Sequence, residues 1–173
     1  QKARYAQIQD ELAQLSAQFS EYLLDPTNAY AILIEDEKRL AGMPPDALQA
    51  ARQESGGWKF TLHMPSYLPV MQYADDRALR EEMYRAGATR AAEFGDPALD
   101  NTPLIARILP LRRETARLLG YPSYAEVSLV PKMADLPGQV LGFHEDLARR
   151  ARPHAERDLA ELRDFARGEL GLA

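Results

Sequence analysis

Cysteine is absent from the 173 residues. That removes any disulfide framework, any thiol nucleophile and any Cys-ligated zinc, and it agrees with a reducing compartment such as the cytoplasm. No apolar run approaches the roughly 18 to 20 residues that span a bilayer. The N-terminal stretch is charged and amphipathic, without the apolar centre of a signal peptide. The sequence is therefore expected to be neither membrane-embedded nor exported. An excess of positive charge is missing too: 26 acidic residues against 21 basic leave a formal charge of −5, with the arginines scattered along the chain. That argues against nucleic acid as a partner. A phosphate-cradling loop is also wanting, because Gly56-Gly57 has neither the later glycines nor the Lys-Ser/Thr that such loops need. No Gly-x-Ser-x-Gly elbow occurs, and Ser55-Gly56-Gly57 reads as a turn.

What is there is an ordinary globular composition, 46% hydrophobic and 27% charged, in a chain long enough to bury a core. Tyr5, Ile8, Leu12, Leu15, Phe19 and Tyr22 recur at spacings of three and four, which predicts a helix from Lys2 to Leu24, ended by Asp25-Pro26. Ala29 to Ile34 is β-prone. In Trp58 to His63, Trp58, Phe60 and Leu62 alternate with Lys59, Thr61 and His63, the period-two signature of a half-buried strand. These two runs are expected to pair antiparallel, with a short helix over Asp46 to Gln53 between them and Gly56-Gly57 as the turn. Helical signals resume at Tyr67. Asp75 or Asp76 is placed to cap a helix carrying Leu79, Met83 and Ala86 as far as Phe94. Thr102-Pro103 predicts a hydroxyl cap with proline in the first turn of a helix that Gly120 closes and that Pro110 kinks or divides. A brief helix over Tyr124 to Leu129 precedes a last one from Asp135, bearing Val140, Leu147, Ala151, Leu159, Leu162 and Ala166, bent at Pro153 and stopped at Gly168. The fold class expected is mainly α, a bundle-like helical segment with one small antiparallel hairpin.

The histidines are only three, His63, His144 and His154, so metal chemistry can be weighed residue by residue. His144-Glu145 begins like a zinc helix, in which histidines at i and i+4 bind the ion and the intervening Glu acts as base, but the fifth residue is Ala148. His154 is ten residues further on, and His63 ends the second predicted strand. Glu35-Asp36-Glu37 and Glu81-Glu82 read as solvated faces. Arg112, Arg113 and Arg117, and again Arg149, Arg150 and Arg152, lie near C-terminal ends of helical stretches where cations suit the helix dipole; binding a peptide carboxylate is the sharper alternative. No residue is assigned a catalytic, cofactor-binding or metal-ligating role.

Several residue strings point further. Leu15-Ser16-Ala17-Gln18-Phe19-Ser20-Glu21, Trp58-Lys59-Phe60-Thr61-Leu62 leading to Pro65-Ser66-Tyr67, Arg80-Glu81-Glu82-Met83-Tyr84, Asp100-Asn101-Thr102-Pro103, Ile108-Leu109-Pro110-Leu111-Arg112, Leu118-Leu119-Gly120-Tyr121, Lys132-Met133-Ala134 and Gln139-Val140-Leu141 occur in this order. Together they resemble the thimet-type oligopeptidases, and within that family the oligopeptidase A branch. The resemblance implies a large, mainly helical, two-lobed zinc metallopeptidase of the cytoplasm, whose deep channel admits short peptides. It also implies catalysis by an H-E-x-x-H helix and a further Glu, none of which matches a position here. His144-Glu145 falls where the family usually has Phe-Leu, and Tyr22 where it commonly has Asn.

The sequence opens inside a helical pattern and closes at Gly171-Leu172-Ala173 without a terminating element. Residues 1–173 are therefore expected to be one N-terminal segment of a longer peptidase, inactive alone and without zinc of its own, that helps wall the substrate channel. Its partners would be the parent's short peptide substrates and the remaining C-terminal portion of its own chain. The competing reading is a stand-alone helical interaction module without catalysis.

Overall fold

The computed structural model describes residues 1–172. It is mainly helical with one small antiparallel hairpin: α1 (Lys2–Ala29), β1 (Ala31–Ile34), α2 (Pro45–Ala51), β2 (Trp58–Thr61), α3 (Met64–Tyr73), α4 (Arg77–Ala88), α5 (Thr102–Leu118), α6 (Tyr124–Leu129) and α7 (Pro137–Glu169). Single 3₁₀ turns lie at Glu37–Leu40 and Pro97–Leu99. Two compact units, Gln1–Leu111 and Arg112–Ala173, meet in sequence within α5.

In the first unit the hairpin sets the core. Ala31 faces Thr61 and Ile34 faces Trp58 across the two strands. Alternation turns Ile34 and Phe60 inward, where they pack with Leu40, Met43, Ala51, Val70, Ala74, Leu79 and Met83 from α2, α3, α4 and the loop after β1. The sharp return into β2 needs glycine: Gly57 has φ +76°, and a Cβ there would lie 2.9 Å from the Ile34 carbonyl oxygen. β2 stops at Thr61, two residues before its predicted end. The chain turns there because Ser66 Oγ accepts the Thr61 N–H at 2.9 Å and the His63 carbonyl already accepts the N–H groups of Ser66 and Tyr67, which starts α3 earlier than its apolar pattern suggests.

Asp76 is the cap of α4. Its carboxylate accepts the N–H groups of Ala78 and Leu79 and binds Arg39 Nε at 2.8 Å. The predicted run to Phe94 falls short. α4 ends at Ala88, where Thr89 Oγ1 bonds back to the Arg85 carbonyl and Arg90 Nε takes the Gly87 carbonyl, and Ala91 then adopts φ +50°. Side-chain groups thus satisfy two of the last helical carbonyls, those of Arg85 and Gly87, as the chain turns away from Thr89 onward.

α1 outlasts its predicted stop and carries Pro26 inside its last turn. Proline there removes one N–H bond, but Thr27 Oγ1 donates to the Leu23 carbonyl at 2.7 Å and Tyr30 N–H closes on the Pro26 carbonyl, so the turn survives. Ile8 is fully buried, and Tyr5, Leu12, Leu15, Phe19 and Tyr22 of the same stripe are half-buried. The start of α5 also differs from its predicted form. Thr102 is its first residue and not its cap: the Asp100 carboxylate takes the Thr102 N–H at 2.8 Å, and the Asn101 carbonyl accepts the first helical bond from Ile105. The helix runs undivided through Pro110.

In the second unit α5 ends in a Schellman turn. Gly120 has φ +82°, Tyr121 N–H reaches the Ala116 carbonyl and Gly120 N–H that of Arg117. Glu126, in the first turn of α6, accepts both the N–H and the hydroxyl of Ser123. α7 then runs for 33 residues through Pro153, one residue beyond Gly168, without a single buried side chain.

Candidate functional site

The structure does not gather the candidate ligands. His63 is exposed at the cap of α3, where its backbone carbonyl accepts from the Ser66 and Tyr67 N–H groups. His144 and His154 lie ten residues apart on α7, about 15 Å along the helix at 1.5 Å per residue. His144 packs edge-on against Phe143, the ring centroids 5.7 Å apart, and the Nδ1 of His154 accepts from Arg157 at 3.2 Å. Among the described residues no group of three or more His, Asp or Glu could hold a metal ion. Zinc, which the resemblance implies, needs three or four converging donors, and the donors among the described residues do not fit it.

The acidic pairs have local partners. Asp36 caps the 3₁₀ turn by accepting from Lys38 N–H at 3.0 Å, Glu81 binds Arg85 one turn along α4 at 2.9 Å, and Glu82 lies 3.9 Å from Arg39. Four of the arginines are likewise engaged. Arg112 stacks over the Tyr124 ring at 5.1 Å, Arg149 and Arg150 both bind Asp146, and Arg152 binds Glu156 at 2.8 Å. Such pairs within one exposed helix contribute a few tenths of a kcal/mol and are ordinary surface chemistry. Ser55 stands in the turn before β2, where Gly56 N–H bonds the Gln53 carbonyl and Gln53 N–H the Gly57 carbonyl.

Two concave surfaces stand out among the described residues. A cleft of about 400 Å³ opens beside β2, lined by Ala47, Ala50, Gln53, Lys59, Thr61 and Ser66 among others. Two of its polar groups bond locally, Gln53 Nε2 donating to the Ala51 carbonyl and Ser66 Oγ accepting from Thr61 N–H. A second groove of about 390 Å³ lies between α6 and α7 and is almost wholly carbon-lined, by Ala125, Leu129, Pro137, Val140 and Leu141 with Ser128. Two perturbed groups sit at structural positions. The hydrogen bond from Arg39, with the backbone N–H groups at the cap, lowers the Asp76 carboxyl, and burial with the nearby Glu82 charge raises the Tyr30 phenol. Both shifts follow from the groups that fix helix ends and strand packing, the Arg39 contact and α4 cap for Asp76 and burial beside Glu82 for Tyr30.

Sequence reasoning missed the ties that fix α1: Arg90 Nη1 to Thr27 Oγ1 at 2.6 Å, Asn101 Nδ2 to the Phe19 carbonyl at 3.1 Å, and Arg107 to Glu11 through two bonds of 2.5 and 2.9 Å. It also did not foresee how bare α7 is. The apolar period that marks the helix says nothing of what covers its face.

Known proteins place these features in context. Residues 70–173 match Peptidase family M3. The chain is 51% identical to oligopeptidase A of Salmonella typhimurium over 98% of its own length, which is 26% of that relative. It is 43% identical to the organellar oligopeptidase A of Arabidopsis thaliana, and 33% identical to the dipeptidyl carboxypeptidase of Salmonella typhimurium over 98% of its length and 26% of the relative's. The chain thus spans about a quarter of the length of the curated relatives it matches. No helix among the described residues is long and apolar enough to cross a membrane.

Proposed function

The chain belongs to peptidase family M3, and from that membership we propose that it is the N-terminal, non-catalytic part of a cytoplasmic zinc metalloendopeptidase of the oligopeptidase A type. The parent hydrolyses short peptides. These residues contribute helical wall to the channel that admits such peptides, and they supply no catalytic or metal-ligating side chain. The observation that carries the reading is collinear identity of 51% to an oligopeptidase A over 98% of the chain, against 33% to a dipeptidyl carboxypeptidase over the same share. Zinc and its ligands belong, in this reading, to the part of the parent outside these 173 residues.

Support comes from the economy of the polar groups. Asp76, Glu81, Arg150 and Arg152 are committed to a cap or to a neighbouring turn, the pattern of a scaffold whose charges hold its own helices in place. The test compares the product of the complete reading frame with the 173-residue chain on a short quenched peptide, with zinc measured in both. Chelator-sensitive cleavage and stoichiometric zinc in the complete product, with neither in the short chain, is the expected result. Zinc-dependent cleavage by the short chain, or a complete reading frame without H-E-x-x-H, would overturn the proposal.

A further inference from the structure

We propose that the apolar face of α7, together with the carbon-lined groove between α6 and α7, is the seat of a segment of the parent polypeptide lying outside these 173 residues. The inference rests on the reading of the chain as part of a longer peptidase. Val140, Leu147, Ala151, Leu159, Leu162 and Ala166 return to one side of the helix at 100° per residue, the period of a face meant to be covered. Yet Leu147 and Leu159 are each 47% exposed and Leu162 is 65% exposed. The helix has 33 residues, about 50 Å at 1.5 Å per residue. Along the stripe, which covers about 39 Å of that length between half-buried Val140 and Ala166, exposed leucines mark a contact surface, because folded monomers seldom expose large contiguous apolar patches.

The chemistry of the face selects its occupant. Arg149 and Arg150 share the Asp146 carboxylate and Arg152 pairs with Glu156, all on α7 itself, so these side chains are engaged along their own helix. In the groove the one hydroxyl, Ser128 Oγ, already accepts from Lys132 Nζ at 2.8 Å, which leaves apolar side chains as the suitable filling. Ala148, Ala151 and Ala155 run through the middle of the stripe, where small side chains let a second backbone come close.

Length decides between the parent's own polypeptide and a second copy of this chain. The relatives that match 98% of the chain are covered to only 26% of their length, so most of each relative lies outside the matched part. A segment tethered to the same chain acts at an effective concentration of about millimolar order, against which a free second copy competes poorly.

Solvent protection of the stripe tests this with a readout independent of catalysis. Leu159→Cys and Leu162→Cys, with Asp164→Cys as the control on the opposite side of the helix, are placed singly in the 173-residue chain and in the complete product, and maleimide labelling rates are compared. Hydroxyl-radical footprinting of Leu159 and Leu162 in the unsubstituted proteins reads the same contrast should a variant misfold. The expected result is labelling at least about tenfold slower at both stripe positions in the complete product, with the control unchanged, as for groups reached only through local opening. Equal rates in the two proteins overturn the proposal. Protection in the short chain that grows with its concentration overturns it in favour of a second copy. A protected stripe in a product that cleaves no peptide would leave this inference standing and remove the peptidase reading.

Discussion

Asn101 and Phe19, 82 residues apart in sequence, are joined by a hydrogen bond of 3.1 Å in which the Asn101 side-chain amide donates to the Phe19 carbonyl. Asn101 is 4% exposed, its own N–H reaches the Ala91 carbonyl at 3.0 Å and its carbonyl accepts the first bond of α5. One residue thus joins α1, the loop after α4 and the start of α5. Asn101→Ala is expected to cost about 1 to 2 kcal/mol through loss of a buried hydrogen bond. Asn101→Asp sets a carboxylate against a carbonyl oxygen and is expected to cost about 3 kcal/mol or more at neutral pH. Urea unfolding of both variants checks the order, and equal losses would remove the donor role.

Two backbone positions make opposite predictions. Gly42 has φ +84°, and a Cβ there would strike the Tyr73 carbonyl oxygen and lie 2.9 Å from the Asp75 carboxylate. Gly42→Ala is therefore expected to lose about 3 kcal/mol, from the left-handed backbone and from a clash with main chain that cannot swing aside. Ala91 holds φ +50° with a Cβ already present. Ala91→Gly is expected to be neutral or to stabilise by up to about 1 kcal/mol, the relief of strain set against the greater freedom of the unfolded chain. Calorimetric melting of the two variants should shift in opposite directions, or downward for Gly42→Ala alone.

Much of this architecture was legible in local signals. The alternation of Trp58, Phe60 and Leu62 located β2, and Asp76 was one of two aspartates named for the cap it forms. What local signals could not weigh were bonds closed by distant or improvised partners. Pro26 reads as a stop, and Thr27 Oγ1 folding back on Leu23, with Tyr30 N–H closing on the Pro26 carbonyl, keeps α1 going. Thr102-Pro103 reads as a hydroxyl cap, but Asp100 supplies the acceptor because Asn101 is turned toward Phe19. The period of Leu159, Leu162 and Ala166 located α7 without saying what would lie against it. Residue strings carried the family where spacing could not, since His144-Glu145 by spacing alone is half of a zinc motif.

Asp76 ties stability to acid pH. The Arg39 hydrogen bond and the backbone N–H groups of Leu79 and Ala78 hold its carboxyl below the usual range, outweighing the opposing effect of burial. The folded protein therefore binds this proton more weakly than the unfolded chain. Its stabilisation is full above the ordinary carboxylate pKa of about 4 and is lost as pH falls through the lower folded value. Asp76→Asn keeps a capping oxygen but loses the charge, so its stability should fall less steeply below about pH 4 than the parent's. An unchanged acid limb in pH-dependent urea titrations would assign the acid response elsewhere.

Tyr30 ties stability to alkaline pH with the opposite sign. Its phenolic oxygen is buried and has no hydrogen-bond partner among the described residues, and burial, reinforced by the Glu82 charge, raises its pKa. The folded state keeps the proton longer than the unfolded chain does, so the contribution of this group is whole below the ordinary tyrosine pKa of about 10 and drains as pH rises through the folded value. Tyr30→Phe retains the ring and removes both the titration and an oxygen buried without a partner. It is expected to leave stability unchanged or raise it by about 1 kcal/mol at pH 7, and to flatten the decline above about pH 10. Loss of more than about 1 kcal/mol at neutral pH would mean that the hydroxyl is bonded after all, through water in the hollow it shares with Pro26, Leu62, Arg90 and Leu99.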